Sequence, residues 1–145
     1  AITLSDPFCI ERHRSLFRQM CVEEIDLLFA NEHEIVSLYE APTLEDAMDM
    51  ARKEVELVAV TVGPSGAYIL NGERTVHAPA APMQRGDATG AGDLFAAGFL
   101  YGLVRKRNLL TCGTMGGVAA GEVISHIGAR PEEDLKTLFD RFGLN

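Results

Sequence analysis

The sequence predicts an α/β layered fold, with a mostly parallel sheet flanked by helices and one antiparallel hairpin. Three observations predict it. Two short apolar runs, residues 25–30 and 57–62, have the length and composition of strands covered on both faces. Stretches with helical spacing of apolar residues separate these runs and follow them. Between residues 67 and 78, two strand-like runs flank Asn71-Gly72, a hairpin turn signal. Strand–helix alternation with a local hairpin is the pattern of such a layered fold.

The elements follow in order. Ile2–Leu4 reads as a short buried strand ended by Ser5-Asp6-Pro7. Residues 10–21 set Ile10, Leu16, Phe17 and Met20 on one side and charges on the other, the mark of an amphipathic helix. After the first apolar run, Asn31-Glu32-His33-Glu34 opens a short helix through Leu38. Thr43 caps the next helix, with Asp46 three residues on as a variant capping box. That helix runs to about Val55 and turns Leu44, Ala47, Met48 and Ala51 inward. Gly63-Pro64-Ser65-Gly66 is a turn by composition. Residues 79–88 form a loop. From Thr89 to about Lys106 the chain is apolar nearly all round, so this helix belongs in the interior. Residues 109–125, rich in glycine and alanine, form a close-packed partner helix. Gly128 stops it, and Pro131 starts a last helix that ends near Phe142.

Composition narrows the function. The chain of 145 residues fits one domain with a real core. A net charge of −8 and no basic patch argue against nucleic-acid binding. Arg105-Lys106-Arg107 reads as a charge run at a helix C-terminus. No apolar run reaches the roughly 20 residues of a membrane span. Cys9, Cys21 and Cys112 form no CxxC pair, and the histidines form no HxxxH pair. The expectation is therefore buried, reduced thiols in a cytoplasmic protein, with no dedicated transition-metal site.

The segment that carries chemistry is Gly86-Asp87-Ala88-Thr89-Gly90-Ala91-Gly92-Asp93. It feeds a buried helix through residues with almost no side chains. A helix start presents unpaired N–H groups and partial positive charge, and glycine there lets an anion approach the backbone. Each glycine in a first turn costs about 1 kcal/mol relative to alanine, which a plain cap has no reason to accept. Asp93 sits in that turn, where its carboxylate can accept a hydrogen bond from an attacking hydroxyl. The plain alternative is a capped helix with Thr89 as N-cap and Asp93 as a dipole-favoured acid. A P-loop is excluded because no Gly-Lys pair exists. A dinucleotide fingerprint is excluded because Phe95 stands where its last small residue belongs.

Residues 87–93 resemble the second signature of the ribokinase-like (PfkB) family, which phosphorylates sugars and nucleosides. Only Ala88 departs from the usual Thr, and Phe95, Ala97 and Gly98 fit as well. Asn31 and Glu34 resemble the family's Asn-x-x-Glu motif, and Thr61, Gly63 and Gly66 its Thr-x-Gly-x-x-Gly loop. Alone, the first motif reads as an Asn-capped helix and the second as a turn; their order around the strong motif raises both. Residues 123–131 resemble the closing segment of bacterial adenosine-kinase-like members, and Ser5-Asp6-Pro7-Phe8 leans the same way. The resemblance spans essentially the whole chain.

The resemblance implies roles. Asp93 orients the acceptor hydroxyl and takes its proton, while the amides of Gly90, Ala91 and Gly92 hold charge on the transferred phosphoryl group. Asn31 and Glu34 organise Mg²⁺ through water. Thr61, Gly63 and Gly66 border ATP. Asp87, Thr89, Val123, His126 and Gly128 match a monovalent-cation site, K⁺ in kind, mostly through backbone; His126 enters by its backbone alone. The implied reaction moves the γ-phosphoryl group of ATP to a nucleoside or sugar, adenosine first and ribose next. The implied extent of residues 1–145 is the carboxyl-terminal part of the kinase domain. The amino-terminal half, with most acceptor contacts and the lid, is a needed partner, and the sheet edge left open favours pairing, as in a dimer. The fragment alone is then a poor catalyst. A noncatalytic nucleotide-binding module, or a truncated pseudokinase, is the alternative, and an unrelated α/β interaction domain is the third reading.

Overall fold

Five strands form one sheet in the order β1-β2-β3-β4-β5: Ile2–Thr3, Leu27–Asn31, Leu57–Thr61, Ala67–Asn71 and Arg74–Ala78. The structure is a computed structural model and describes residues 1–4, 6–82 and 88–145. Strands β1, β2 and β3 are parallel, with Leu28 opposite Val58 and Asn31 opposite Thr61. Leu28, Val58 and Val60 are fully buried. Burying each such side chain contributes about 1.5–3 kcal/mol. Strands β4 and β5 are joined by Gly72-Glu73, so the hairpin lies one residue beyond the expected Asn71-Gly72. β1 stands at an end of the order, as an edge of two residues.

The chain divides into two units. The first holds residues 1–62 and 68–76. In it, helices α1 (Pro7–Glu23), α2 (Glu32–Tyr39) and α3 (Leu44–Glu54) pack with the strands around Ile10, Ile35, Leu38 and Ala51. Glu54 ties the three helices: it accepts from Arg18 at 2.8 Å and from the Tyr39 hydroxyl at 2.9 Å. The Arg18 guanidinium also lies 4.4 Å from the centre of the Tyr39 ring. α1 starts three residues earlier than its apolar spacing indicates. Asp6 accepts from the Cys9 amide and Pro7 takes the first helical position, so Asp-Pro is a helix start here rather than a strand stop. Cys21 is buried as expected, whereas Cys9 is half-buried.

The second unit holds residues 63–67 and 77–145. Its core is the hairpin of α4 (Ala91–Val104) and α5 (Leu109–Ile124), antiparallel because a short turn joins them. Gly98 lies against the backbone of Met115 and Gly116, and a Cβ at Gly116 would meet the Phe95 ring at 2.8 Å. Glycine at these crossings lets the backbones approach closely. Phe99 and Met115 are fully buried, as an interior helix pair requires, although Val104 at the end of α4 is exposed. The last helix, α6 (Leu135–Arg141), begins at its cap Asp134 and not at Pro131. The amides of the intervening Glu132 and Glu133 donate to Glu122 Oε1 instead.

Candidate active site

In the first unit, the carboxyl ends of the parallel strands bring two sequence-selected residues together. Asn31 ends β2 directly opposite Thr61 at the end of β3. In open α/β sheets this edge is where ligands bind. Asn31 also caps α2. Its Oδ1 accepts the Glu34 amide at 2.8 Å, and the Asn31 amide donates to Glu34 Oε2 at 2.9 Å. This reciprocal box explains both residue types locally. Glu34 is 7% exposed. Burial raises its pKa, against the Asn31 amide, and the charge of Asp6 adds to the rise.

Glu34 Oε1 accepts no hydrogen bond among the described residues. Nor does any group of three or more His, Cys, Asp or Glu there form a metal cluster. One carboxylate with a spare oxygen fits Mg²⁺, which binds through one or two carboxylates, retains waters and takes substrate phosphates. It does not fit an ion needing a full protein cage.

The second unit carries the glycine-rich helix start. Gly90 caps α4 in the left-handed conformation, φ 83°, with no side-chain bond to the first turn. The cap is therefore Gly90 rather than Thr89. The Ala91 amide donates to the Ala88 carbonyl at 3.1 Å and is already engaged. That leaves the Gly90, Gly92 and Asp93 amides as donors without a hydrogen bond among the described residues. A Cβ at Gly92 would meet nothing within 4 Å, so the space beside it is open. Asp93 is exposed and makes no hydrogen bond or ion pair among the described residues. A free carboxylate beside unpaired amides can meet an alcohol while the amides meet an anion.

Gly63 and Gly66 form a single 3₁₀ turn, with the Gly66 amide donating to the Gly63 carbonyl at 3.1 Å. Gly66 has φ 94°, and a Cβ there would strike the backbone of Ala78 to Ala80. Packing alone accounts for that glycine.

Val123 lies in the last turn of α5, where carbonyls lack intrahelical partners; His126 and Gly128 follow in the loop. Carbonyls at a helix C-terminus suit a cation. Asp87 lies outside the described residues. Thr89 is exposed beside the cap.

His126 does more than lend its backbone. Its Nε2 lies 3.1 Å from Glu122 Oε1, and that bond raises its pKa against the effect of burial. Glu122 was missed by motif reasoning. Burial pushes its carboxyl up, but the amides of Glu133 and Glu132, then His126, hold it below the usual carboxylate range. The available signal was composition: Glu122 is the only acidic or basic residue between Arg107 and Arg130, histidine aside.

Residues 3–135 match the pfkB family carbohydrate kinase model. A probable sugar kinase from Rhizobium etli superposes with a TM-score of 0.96 at 41% identity, covering 99% of this chain and 44% of that one. Adenosine kinase from Sinorhizobium meliloti gives 0.94 at 39% identity, covering 97% and 43%. Arabidopsis thaliana ribokinase complexed with ribose and ATP gives 0.74 at 28% identity, covering 82% and 41%. The chain thus spans less than half the length of these relatives. Among the described residues no helix is long and apolar enough to cross a membrane. The chain has the ribokinase-like fold and belongs to the pfkB carbohydrate kinase family.

Proposed function

We propose that the chain is the carboxyl-terminal, catalytic-base portion of a kinase that moves the γ-phosphoryl group of ATP to a nucleoside or sugar hydroxyl, with adenosine as the first candidate. One observation carries this reading: α4 begins on a glycine cap, and the exposed carboxylate of Asp93 in its first turn has no partner among the described residues. The likeness to the Sinorhizobium meliloti adenosine kinase, at 39% identity, supports adenosine as first candidate, and that to the Rhizobium etli probable sugar kinase, at 41%, keeps a sugar beside it.

Phosphoryl transfer through a loose transition state asks for positioning and charge stabilisation more than covalent chemistry. The Gly90, Gly92 and Asp93 amides, with the positive end of α4, stabilise charge on the equatorial oxygens. Gly90 contributes its cap conformation, and the engaged Ala91 amide contributes the turn. Asp93 accepts the proton of the attacking hydroxyl. Asn31 and Glu34 hold Mg²⁺ through water, and that ion supplies neutralising charge to the nucleotide phosphates. Thr61 with Gly63 and Gly66 borders the nucleotide. Backbone at Thr89, Val123, His126 and Gly128, with Asp87, takes a monovalent cation such as K⁺. The acceptor contacts and lid belong to an amino-terminal half, without which water is poorly excluded and turnover is weak.

The test is Asp93→Asn in the complete protein, assayed by ADP release over a panel of nucleosides and sugars. The transfer rate falls by ~10² or more while ATP affinity is unchanged. Full activity in that variant refutes the base assignment. A wild type that binds ATP and Mg²⁺ but transfers to no acceptor favours a noncatalytic module instead.

A further inference from the structure

Glu122 projects from the last turn of α5 with a side chain only 6% exposed. Its Oε1 accepts the Glu132 amide at 2.9 Å, the Glu133 amide at 3.1 Å and His126 Nε2 at 3.1 Å. Its Oε2 is buried with no hydrogen bond among the described residues. A buried carboxylate half-satisfied in this way is expensive to keep. Simple packing would place an apolar side chain there, like its neighbours in α5.

The anchored segment shows what the carboxylate holds. Residues 126–133 leave α5 and return to it, tied at both ends to one oxygen atom. At the middle of that loop stands Ala129. A Cβ built on Gly90 would lie 2.8 Å from Ala129 Cβ and 3.1 Å from its Cα. The loop therefore backs directly onto the cap of α4 and leaves it no room for a side chain. Glu133 is further tied by an ion pair to Arg141 of α6.

We propose that Glu122 is a positioning residue for phosphoryl transfer: by closing the 126–133 loop it presses Ala129 against Gly90 and sets the amides of the α4 start. This rests on the reading of that helix start as the phosphoryl site. Glu122 touches neither substrate nor reacting atoms; it acts through Ala129 and Gly90. The role is geometric, so a neutral acceptor of the same length serves. In Glu122→Gln the remaining Oε1 still receives both amides.

The experiment measures kcat and the acceptor KM in the complete protein for Glu122→Gln, Glu122→Ala, Ala129→Gly and the Glu122→Ala/Ala129→Gly pair. Glu122→Ala lowers kcat by about tenfold or more with acceptor KM unchanged, because misplacement of catalytic groups acts on the chemical step. Glu122→Gln stays within about threefold of wild type on the same account. The double variant is no slower than Glu122→Ala alone, since both changes act through one contact. A folded Glu122→Ala with wild-type kcat overturns the role, and so does an equal loss in Glu122→Gln. If Glu122→Ala does not fold, Glu122→Asp and Ala129→Gly read the same contacts, and wild-type kcat in both overturns it. Asp93→Asn is measured alongside. If it keeps full activity the functional reading fails; if it is inactive while Glu122→Ala is not, the positioning role alone fails.

Discussion

At the start of α2 the Asn31 side chain takes the Glu34 amide and the Glu34 side chain takes the Asn31 amide. At the start of α4 the cap is a glycine at φ 83°, which brings no side chain of its own to the first turn. The other described helices resemble α2: Asp6, Thr43, Asn108 and Asp134 each accept an amide three residues on. A side-chain cap is worth about 1 kcal/mol, so five helix starts are explained by folding alone. The start of α4 forgoes that stabilisation and adds glycines that weaken a helix. Packing against Ala129 and the left-handed φ require glycine at Gly90, but neither requires it at Gly92, where the proposed ligand oxygen stands in place of a side-chain cap.

Gly92→Ala tests that difference most sharply. The position is helical and the space beside it is open, so alanine is accommodated. Helix propensity alone raises stability by roughly 0.5–1 kcal/mol. The added methyl stands in the open mouth, and phosphoryl transfer falls by ~10² through misplacement of the transferred group. Thermal unfolding and ADP release measured on one preparation check both signs. A variant that is stabler and fully active removes the ligand from that turn.

The capped starts were legible because capping is local. Asn31 with Glu34, and Thr43 with Asp46, announce themselves within four residues, and both helices begin where the sequence places them. The buried strands were legible through their apolar runs. Boundaries failed where a residue answered to distant partners. Pro131 looks like a helix start, yet the amides of Glu132 and Glu133 are taken by Glu122, and α6 waits for Asp134. The glycine-rich motif lies at the start of α4, but local sequence does not reveal that the Ala91 amide is spent on Ala88. Nor does it reveal that Ala129 fills the space behind Gly90.

Glu34→Gln gives a smaller stability effect and separates two roles at the capped site. Glutamine at this position keeps the box, with its oxygen accepting the Asn31 amide. Glu34 has its pKa raised above 4.5 by burial, so the folded state holds the proton more tightly than the unfolded chain. The ionised carboxylate therefore disfavours folding increasingly as pH climbs from 4.5 toward the folded value, then levels off. Unfolding curves of variant and wild type converge below 4.5 and separate in the variant's favour above it. Mg²⁺-dependent transfer nevertheless drops if the carboxylate organises the ion. A variant equal to wild type in transfer leaves Glu34 with its cap alone.

The smallest effect is expected at α6, where the cap itself titrates. Asp134 Oδ2 accepts the Thr137 amide at 2.9 Å and the Thr137 hydroxyl at 2.8 Å, and these bonds hold its pKa below 3.8. A depressed carboxyl favours the folded state above its unfolded value and loses that contribution as pH falls through the folded one. Hydrogen-exchange protection of the Thr137 amide is thus constant above 3.8 and declines below it. Asp134→Asn keeps an acceptor oxygen without the titration, so the acid decline disappears; Asp134→Ala loses the protection at every pH. Phosphoryl transfer is unchanged in the asparagine variant, because this cap serves only its helix. A loss there comparable to that of Gly92→Ala would erase the distinction between a helix start that only folds the chain, as at α6, and the start of α4.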